Sequence, residues 1–443
     1  MKLQTLRQIK DLKNKRVLLR VDFNVPVLSP TKASGKQNRA SRLSGANIGI
    51  ADDTKIRSAL PTIEYLLSKG AEIVLVSHLG RPGIMQNAKC KMQNYNAKLK
   101  IIKKTNKQFS LLPIAKYLDR LIGRVKFFGE AIGSEQLKNN LKKIKVGTVA
   151  VLENVRFYDG EEKNDPKFAK ELASLADVYV NDAFAVCHRA HASTAGVTKF
   201  LPSYAGLLLE KEIKALSGLL QKPKKPFVAL MGGAKISDKI AVIENLSKKA
   251  DKILLGGALV NNFFKAMGYE VGASLVESEG VKLAKSLLKS KKIILPVDVV
   301  IGKENGEGAK VVNVQLKTQN SKLKTTTKNV KLICDKPYAI LDIGPKTILE
   351  YAKWLKKAKT LVWNGPMGLF EIKPYSHGTL ALGRLFAARS KGKAFGVTGG
   401  GETLQALNQT GIGEYVDWIS TGGGAMLEFL GGAKLPGVEV LIR

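Results

Sequence analysis

The chain of 443 residues is short of cysteine, histidine, acidic side chains and long apolar runs, and each shortage removes a class of protein. Its three cysteines, Cys90, Cys187 and Cys334, form no Cys-x-x-Cys pair, so structural disulfides are not expected and a reducing compartment fits. No stretch reaches membrane-spanning length, and the opening MKLQTLRQIKDLKNKRVLLRV lacks the apolar core of a signal peptide. A soluble, cytoplasmic protein with no membrane partner is expected. Neither G-x-x-x-x-G-K-[ST] nor G-x-G-x-x-G occurs, which argues against a Walker-type loop and a dinucleotide fingerprint. Acids are outnumbered, with 37 Asp+Glu against 72 Lys+Arg and a formal charge of +35. Such a balance suits nucleic acid, acidic membranes or small anions, or describes only a lysine-rich solvated surface. Aromatic residues make up 7%, and the basic stretches hold only Tyr95 and Phe109, so a base-stacking platform lacks its side chains and no specific nucleic-acid partner is expected.

What is present is a repeated alternation. The length exceeds one hydrophobic core, and 44% hydrophobic residues are enough to build two. Short β-branched runs read as strands at 16–23, 71–78, 124–128, 148–154 and 177–183, and again at 226–232, 252–258, 292–300, 360–366 and 394–400. Helical periods separate them. The pattern predicts an α/β fold of two Rossmann-like, doubly wound parallel-sheet domains joined by a long helix. Domain limits are placed at 1–202 and 203–425, with the joining helix at about 203–222. Residues 426–443 form a C-terminal segment expected to pack back on the first domain. Two polar stretches, 28–51 and 84–109, read as surface inserts, the second carrying seven lysines and no acid between Lys89 and Lys107.

In open parallel sheets ligands bind beyond the carboxyl ends of strands. In the first half those ends carry Asp22-Phe23-Asn24, His78-Leu79-Gly80-Arg81, Arg156, and the stretch DAFAVCHRAHAST from Asp182 to Thr194. Cys187, His188 and His191 there resemble part of a metal site, but no further Cys or His joins them. Arg189 is the better candidate, because a guanidinium fork matches phosphate or carboxylate oxygens. Each arginine alone could be a surface ion pair; four strand ends agreeing point to a small polyanion. In the second half the ends carry Gly232-Gly233-Ala234-Lys235, Gly256-Gly257, Asn364-Gly365-Pro366, Gly399-Gly400-Gly401 and Gly422-Gly423-Gly424. Glycine lets backbone N–H groups approach phosphate, although a single such turn often only caps a helix. A cationic anion site paired with a glycine-lined nucleotide site suits phosphoryl transfer.

The motifs RVDFNVP (20–26), SHLGRP (77–82), LENVRF (152–157), VNDAF with HRAHAS (180–193), GGAKISDKI (232–240), LPVD (295–298), DIGP (342–345), WNGPMGLFE (363–371) and STGGGA (420–425) together resemble the phosphoglycerate kinase family. They occur in that family's order over nearly the whole chain. The resemblance implies reversible transfer of a phosphoryl group from 1,3-bisphosphoglycerate to MgADP, giving 3-phosphoglycerate and ATP in glycolysis, by a monomer whose domains close about a hinge. It implies Asp22, Phe23, Asn24, Lys55, His78, Leu79, Gly80, Arg81, Arg156 and Arg189 as substrate contacts. Lys235, Lys239, Gly257, Asn364, Pro366, Glu371, Gly399, Gly400, Gly401, Glu402 and Thr403 are implied as nucleotide contacts. Lys55, Lys239, Gly400 and Gly423 would act on the transferring group, and Glu402 would meet Mg2+ through the nucleotide.

The sequence departs from the family pattern at four places. Where the family reads D-D-T-R-I, this chain has Lys55, which keeps the charge and loses the fork; Arg57, two residues on, should point elsewhere. Where the family reads G-G-G-D, Glu402 reaches one methylene further. Trp418 replaces a histidine before the last glycine triplet, and Ala185 adds a Cβ where the family has glycine. Two other readings compete: a weakened or inactive relative that binds nucleotide without efficient transfer, and a nucleic-acid-binding protein, suggested by the +35 charge.

Overall fold

The computed structural model describes residues 2–27, 49–82, 106–315 and 331–443. Most of both polar inserts therefore lies outside the described residues. The chain divides into two compact units, Met1–Ile213 with Lys434–Arg443, and Lys214–Ala433. The division falls inside the helix Leu207–Gln221, whereas the sequence placed it at 202. The last residues return to the N-terminus of the first unit, where Lys2 N–H donates to Arg443 O at 2.9 Å and Gln4 N–H to Leu441 O at 2.8 Å. Residues 426–433 group with the second unit.

In the first unit β1 (Arg16–Arg20), β2 (Glu72–Val76), β3 (Val125–Phe128), β4 (Val149–Leu152), β5 (Val178–Asn181) and β6 (Ser203–Ala205) form one parallel sheet, ordered β3-β4-β2-β1-β5-β6. Successive side chains alternate between faces, so Val17 and Leu19 enter one apolar cluster and Leu18 the other. Helix Thr54–Ser68 covers one face with Ile56, Ala59, Thr62, Ile63 and Leu66 at helical spacing.

The second unit has β7 (Phe227–Met231), β8 (Lys252–Leu255), β9 (Tyr269–Val271), β10 (Ile293–Ile294), β11 (Asp298–Gly302), β12 (Lys310–Asn313), β13 (Lys331–Cys334), β14 (Ala339–Ile343), β15 (Thr360–Asn364), β16 (Phe395–Gly399) and β17 (Trp418–Ser420). Its parallel sheet runs β10-β8-β7-β15-β16-β17. The single strand expected over 292–300 is corrected. Leu295-Pro296 interrupts it, so β10 ends the parallel sheet while β11 pairs antiparallel with β12 and β14. No helix among the described residues is long and apolar enough to cross a membrane.

Asp342 in β14 is buried without a cation and accepts from Gly378 N–H at 2.8 Å and Ile343 N–H at 2.9 Å. Burial pushes its pKa up to about 8, against the pull of those two donors. The folded value lies above the unfolded carboxyl value of about 4, so the folded state takes up the proton first as pH falls. This contribution to stability is present near pH 4 and is lost as pH rises through 8. The urea midpoint of the second unit should therefore fall between pH 6 and pH 9, and Asp342→Asn should flatten that slope. An identical slope in both proteins would assign the pH dependence to other groups.

Candidate functional site

The neighbours β4, β2, β1 and β5 all end at one edge of the first sheet, which places the segments after them side by side. Asp22 follows β1, His78 and Arg81 follow β2, Arg156 follows β4, and His188, Arg189 and His191 follow β5. Lys55 enters from the first turn of the 54–68 helix, its Nζ 2.6 Å from Asp22 Oδ2. His78 Nδ1 lies 3.7 Å from the other Asp22 oxygen. Burial alone would raise the Asp22 carboxyl; Lys55 is the main group that outweighs it and holds the pKa below the usual value. His78 itself is pushed well down, first by burial and then by Arg20, Arg156 and Lys55, with Asp22 pulling the other way. It is therefore neutral at physiological pH.

Arg156 is held by its NH1 donating to Gly80 O at 2.7 Å and by Glu162, 3.3 Å from Nε. Buried Asn154 sets this corner: its Oδ1 accepts from Leu79 N–H and Arg156 N–H, and its Nδ2 donates to Leu79 O and Phe109 O. Asn24 Oδ1 accepts from Gly80 N–H at 2.8 Å, tying the segments after β1 and β2 together. Gly80 has φ +61°, and an added Cβ would clash with the Phe109 ring. Arg81 is exposed. Arg189 Nε donates to His188 Nε2 at 3.2 Å, so the two form one polar group. His191 is pushed down to about 4 by burial and by Arg20, Arg156 and Arg189.

Phe23 and Leu79 are packed in the core, and Phe23 N–H donates to Ser77 Oγ at 2.8 Å. Arg57 turns to Asp53 at 2.6 Å and to Tyr117, so it does not substitute for Lys55. Cys187 is fully buried against Gly437, and burial pushes its thiol up to about 12. Among the described residues no group of three or more His, Cys, Asp and Glu side chains is placed to hold a metal. Ala185 lies in the turn Phe184–Val186 with ordinary negative φ, which explains why its Cβ is tolerated.

In the second unit β8, β7, β15, β16 and β17 are neighbours, and each ends in the glycine-bearing segments. The structure separates these glycines into two kinds. Gly232 and Gly365 are backbone contacts of one another's segments: a Cβ on Gly232 would clash with Pro366 O, and one on Gly365 with Gly232 O. Gly257 is similar, its Cβ position 2.5 Å from Gly233 N, and its own N–H donates to Met367 O at 2.7 Å. Gly399 packs on Met426 and its carbonyl accepts from Asn364 Nδ2 at 2.7 Å. Gly401 and Gly423 differ, because a Cβ on either would meet nothing within 4 Å. Gly400 and Gly423 are the capping residues of helices Gly401–Thr410 and Gly424–Leu430, with φ +100° and +48°. The first of these is a helix N-terminus of usable length for an anion.

Lys239 precedes helix Ile240–Lys249, is buried, and donates from Nζ to Asn364 Oδ1. Burial lowers its pKa, opposed by Glu402 and Asp238. Gly233, at φ +104°, leaves a cradle between the two charges: a Cβ there would lie 3.0 Å from Lys239 Cε and 3.8 Å from Glu402 Oε2. Thr403 Oγ1 accepts from Gly365 N–H at 2.8 Å and supports the loop from below. Lys235, Glu371 and Glu402 are exposed. Trp418 opens β17 beside Val397 and is partly buried.

Sequence reasoning missed Arg20, Ser77, Asn154, Glu161 and Ser193, which hold the first site together from beneath. Arg20 is 1% exposed: Nε donates to Ser193 Oγ at 2.8 Å, NH1 to Val21 O, and NH2 lies 3.3 Å from His78 Nδ1. Arg20 opens the RVDFN motif, and that position at a strand end was its only signal.

Two Rossmann-type sheets, one ending in cations and one in glycine backbone beside a buried lysine, define a phosphoryl-transfer enzyme. Comparison with known proteins gives the family. A family model for phosphoglycerate kinase matches residues 6–433. Phosphoglycerate kinase of Dictyoglomus turgidum is 43% identical over 438 residues, covering 98% of this chain and 96% of that one. That of Moorella thermoacetica is 44% identical over 445 residues, with 99% and 98% covered. The solved structure of phosphoglycerate kinase from Coxiella burnetii superposes with a TM-score of 0.76 at 36% identity, covering 99% of both chains. The chain belongs to the phosphoglycerate kinase family. It is a phosphotransferase with a carboxyl group as acceptor, acting in glycolysis.

Proposed function

We propose that the cationic strand ends of the first unit bind the triose as 1,3-bisphosphoglycerate or 3-phosphoglycerate, and that the glycine-lined strand ends of the second bind ADP or ATP. The observation that carries this reading is the convergence of His78, Arg156 and Arg189 at the ends of β2, β4 and β5 with Lys55 from the first turn of the 54–68 helix, where Asp22 and Glu162 are the acids paired to them. Arg156 and Arg189 offer planar donors to phosphate or carboxylate oxygens, and Lys55 faces the group that moves. In the forward direction the C1 acyl-phosphate bond breaks, its electrons return to the carboxylate oxygen, and the phosphorus bonds to an oxygen of the ADP β-phosphate. A carboxylate leaving group needs no general acid, so the chain's task is to hold charge and exclude water.

Lys239 meets the transferring group as a fixed cation, and the capping glycines Gly400 and Gly423 offer backbone where an ordinary residue would be strained. Glu402, whose carboxylate borders the cradle above Gly233, would be the side chain to hold Mg2+ together with the nucleotide phosphates. When bound, Mg2+ neutralises charge on the nucleotide phosphates.

Lys55→Arg tests the assignment of Lys55. A guanidinium could keep Asp22 and still present a donor, so kcat should rise roughly fivefold in a coupled ATP-formation assay. A loss of activity would mean that the ammonium at this place is fitted to Asp22 rather than to the phosphoryl group.

A further inference from the structure

The basic site has a buried floor that none of the assigned contacts explains. Glu161 is 1% exposed, in the short helix Asp159–Glu162. Its Oε2 accepts from Ser193 N–H at 2.9 Å and its Oε1 from the Ser193 hydroxyl at 2.6 Å. Its own carbonyl accepts from Ala192 N–H at 2.9 Å. Having donated its proton to a carboxylate, the Ser193 hydroxyl can only accept from Arg20 Nε, 2.8 Å away. The far end of the same guanidinium, NH2, lies 3.3 Å from His78 Nδ1.

The direction of each bond is set by chemistry. A carboxylate only accepts and a guanidinium only donates, so the row Glu161, Ser193, Arg20 has one possible polarity. At its end His78 Nδ1 must accept, which leaves the ring proton on Nε2. We propose that Glu161 and Ser193 are positioning residues: through Arg20 they fix His78 as the neutral Nε2–H tautomer, so that the triose site presents a constant donor instead of a titrating imidazole. The groups facing His78 are Arg20, Asp22, Lys55 and Arg156, three cations and one acid already paired with Lys55. That surrounding disfavours a second proton on the ring, in agreement with the lowered pKa. Glu161 is thus the buried counter-charge that lets Arg20 sit beneath the site without a ligand. This inference rests on the proposed assignment of His78 to the triose site only for its effect on substrate.

The chain has four histidines, His78, His188, His191 and His377, so their imidazole nitrogens can be followed by long-range 1H–15N spectra of the full-length protein, each signal assigned by a His→Gln variant. Wild type should show His78 as a single Nε2–H tautomer with constant shifts from pH 5.5 to 8. In Ser193→Ala the uncovered Glu161 carboxylate draws Arg20 toward itself, and in Glu161→Gln the counter-charge and one of the two acceptor oxygens that hold Ser193 are lost. In both, the His78 signal should move to a tautomer average or titrate, while His377 in the second unit stays unchanged as a control for folding. A His78 that titrates near pH 6.5 in wild type, or keeps one tautomer in both variants, overturns the proposal. A merely structural role would lower the melting temperature and leave the tautomer alone. Ser193→Ala, the milder change, should also weaken 3-phosphoglycerate binding by roughly tenfold. A shifted tautomer with unchanged affinity would overturn the placement of His78 in the triose site and leave the positioning role standing.

Discussion

Lys239→Ala should lower kcat by about 10²–10³-fold while the protein stays folded and still binds ADP, because a fixed cation aimed at a transferring phosphoryl group acts mainly on the transition state. The structure favours this outcome over a loss of binding. Nζ donates to the neutral Asn364 amide, while Glu402 and Asp238 act on it through space. A buried ammonium held by a dipole keeps its charge available for a ligand, and burial at the head of helix Ile240–Lys249 shields it from water. Removing it leaves behind only an amide oxygen with one partner fewer, a modest change in stability. Steady-state kinetics with saturating substrates, beside calorimetric ADP titration, separates the two effects. A fall in kcat of less than tenfold would remove Lys239 from the catalytic group.

The second large effect concerns stability and divides the glycines. Gly232→Ala should destabilise the second unit by roughly 3 kcal/mol or more, because the new Cβ would strike the Pro366 carbonyl and neither backbone has room to give. Gly401→Ala should leave stability unchanged or slightly higher, since the position opens a helix, has ordinary φ and faces open space. The same substitution should weaken ADP binding by roughly tenfold, because open space at that helix N-terminus is where phosphate oxygens are proposed to sit. Urea unfolding and ADP titration of the two variants check both halves. Equal stability of Gly232→Ala and wild type would mean that the paired glycine segments are not locked together.

The contrast explains what could be read from the residues. Glycine after a strand has the same one-letter code whether it packs against a carbonyl, as Gly232 does, or fronts empty space, as Gly423 does. Alternating β-branched runs and helical periods were legible as covered parallel sheets because both faces of each strand are apolar, as Leu18 and Leu19 show. The run at 292–300 misled because β10 and β11 share that composition, and Pro296 was the visible sign that they part. The cations at the strand ends were legible because they recur after several strands, where a single arginine would read as a surface ion pair. Their buried support was not: Ser193 and Glu161 are 32 positions apart, and neither residue is unusual in its own segment. Asp182, which opened the histidine-bearing stretch, has turned out to serve a helix: its Oδ1 accepts from Leu208 N–H at 2.9 Å and Leu209 N–H at 3.1 Å.

The central claim is a division of labour, with the anionic triose on the first unit and the nucleotide on the second. Calorimetric titration of Arg156→Ala/Arg189→Ala with 3-phosphoglycerate and, separately, with ADP tests it most directly. Two charge-assisted contacts are removed, so 3-phosphoglycerate affinity should fall by at least about 100-fold while ADP affinity stays within about twofold of wild type. If ADP affinity falls in parallel, or if 3-phosphoglycerate binds as before, the assignment of the cationic strand ends is contradicted.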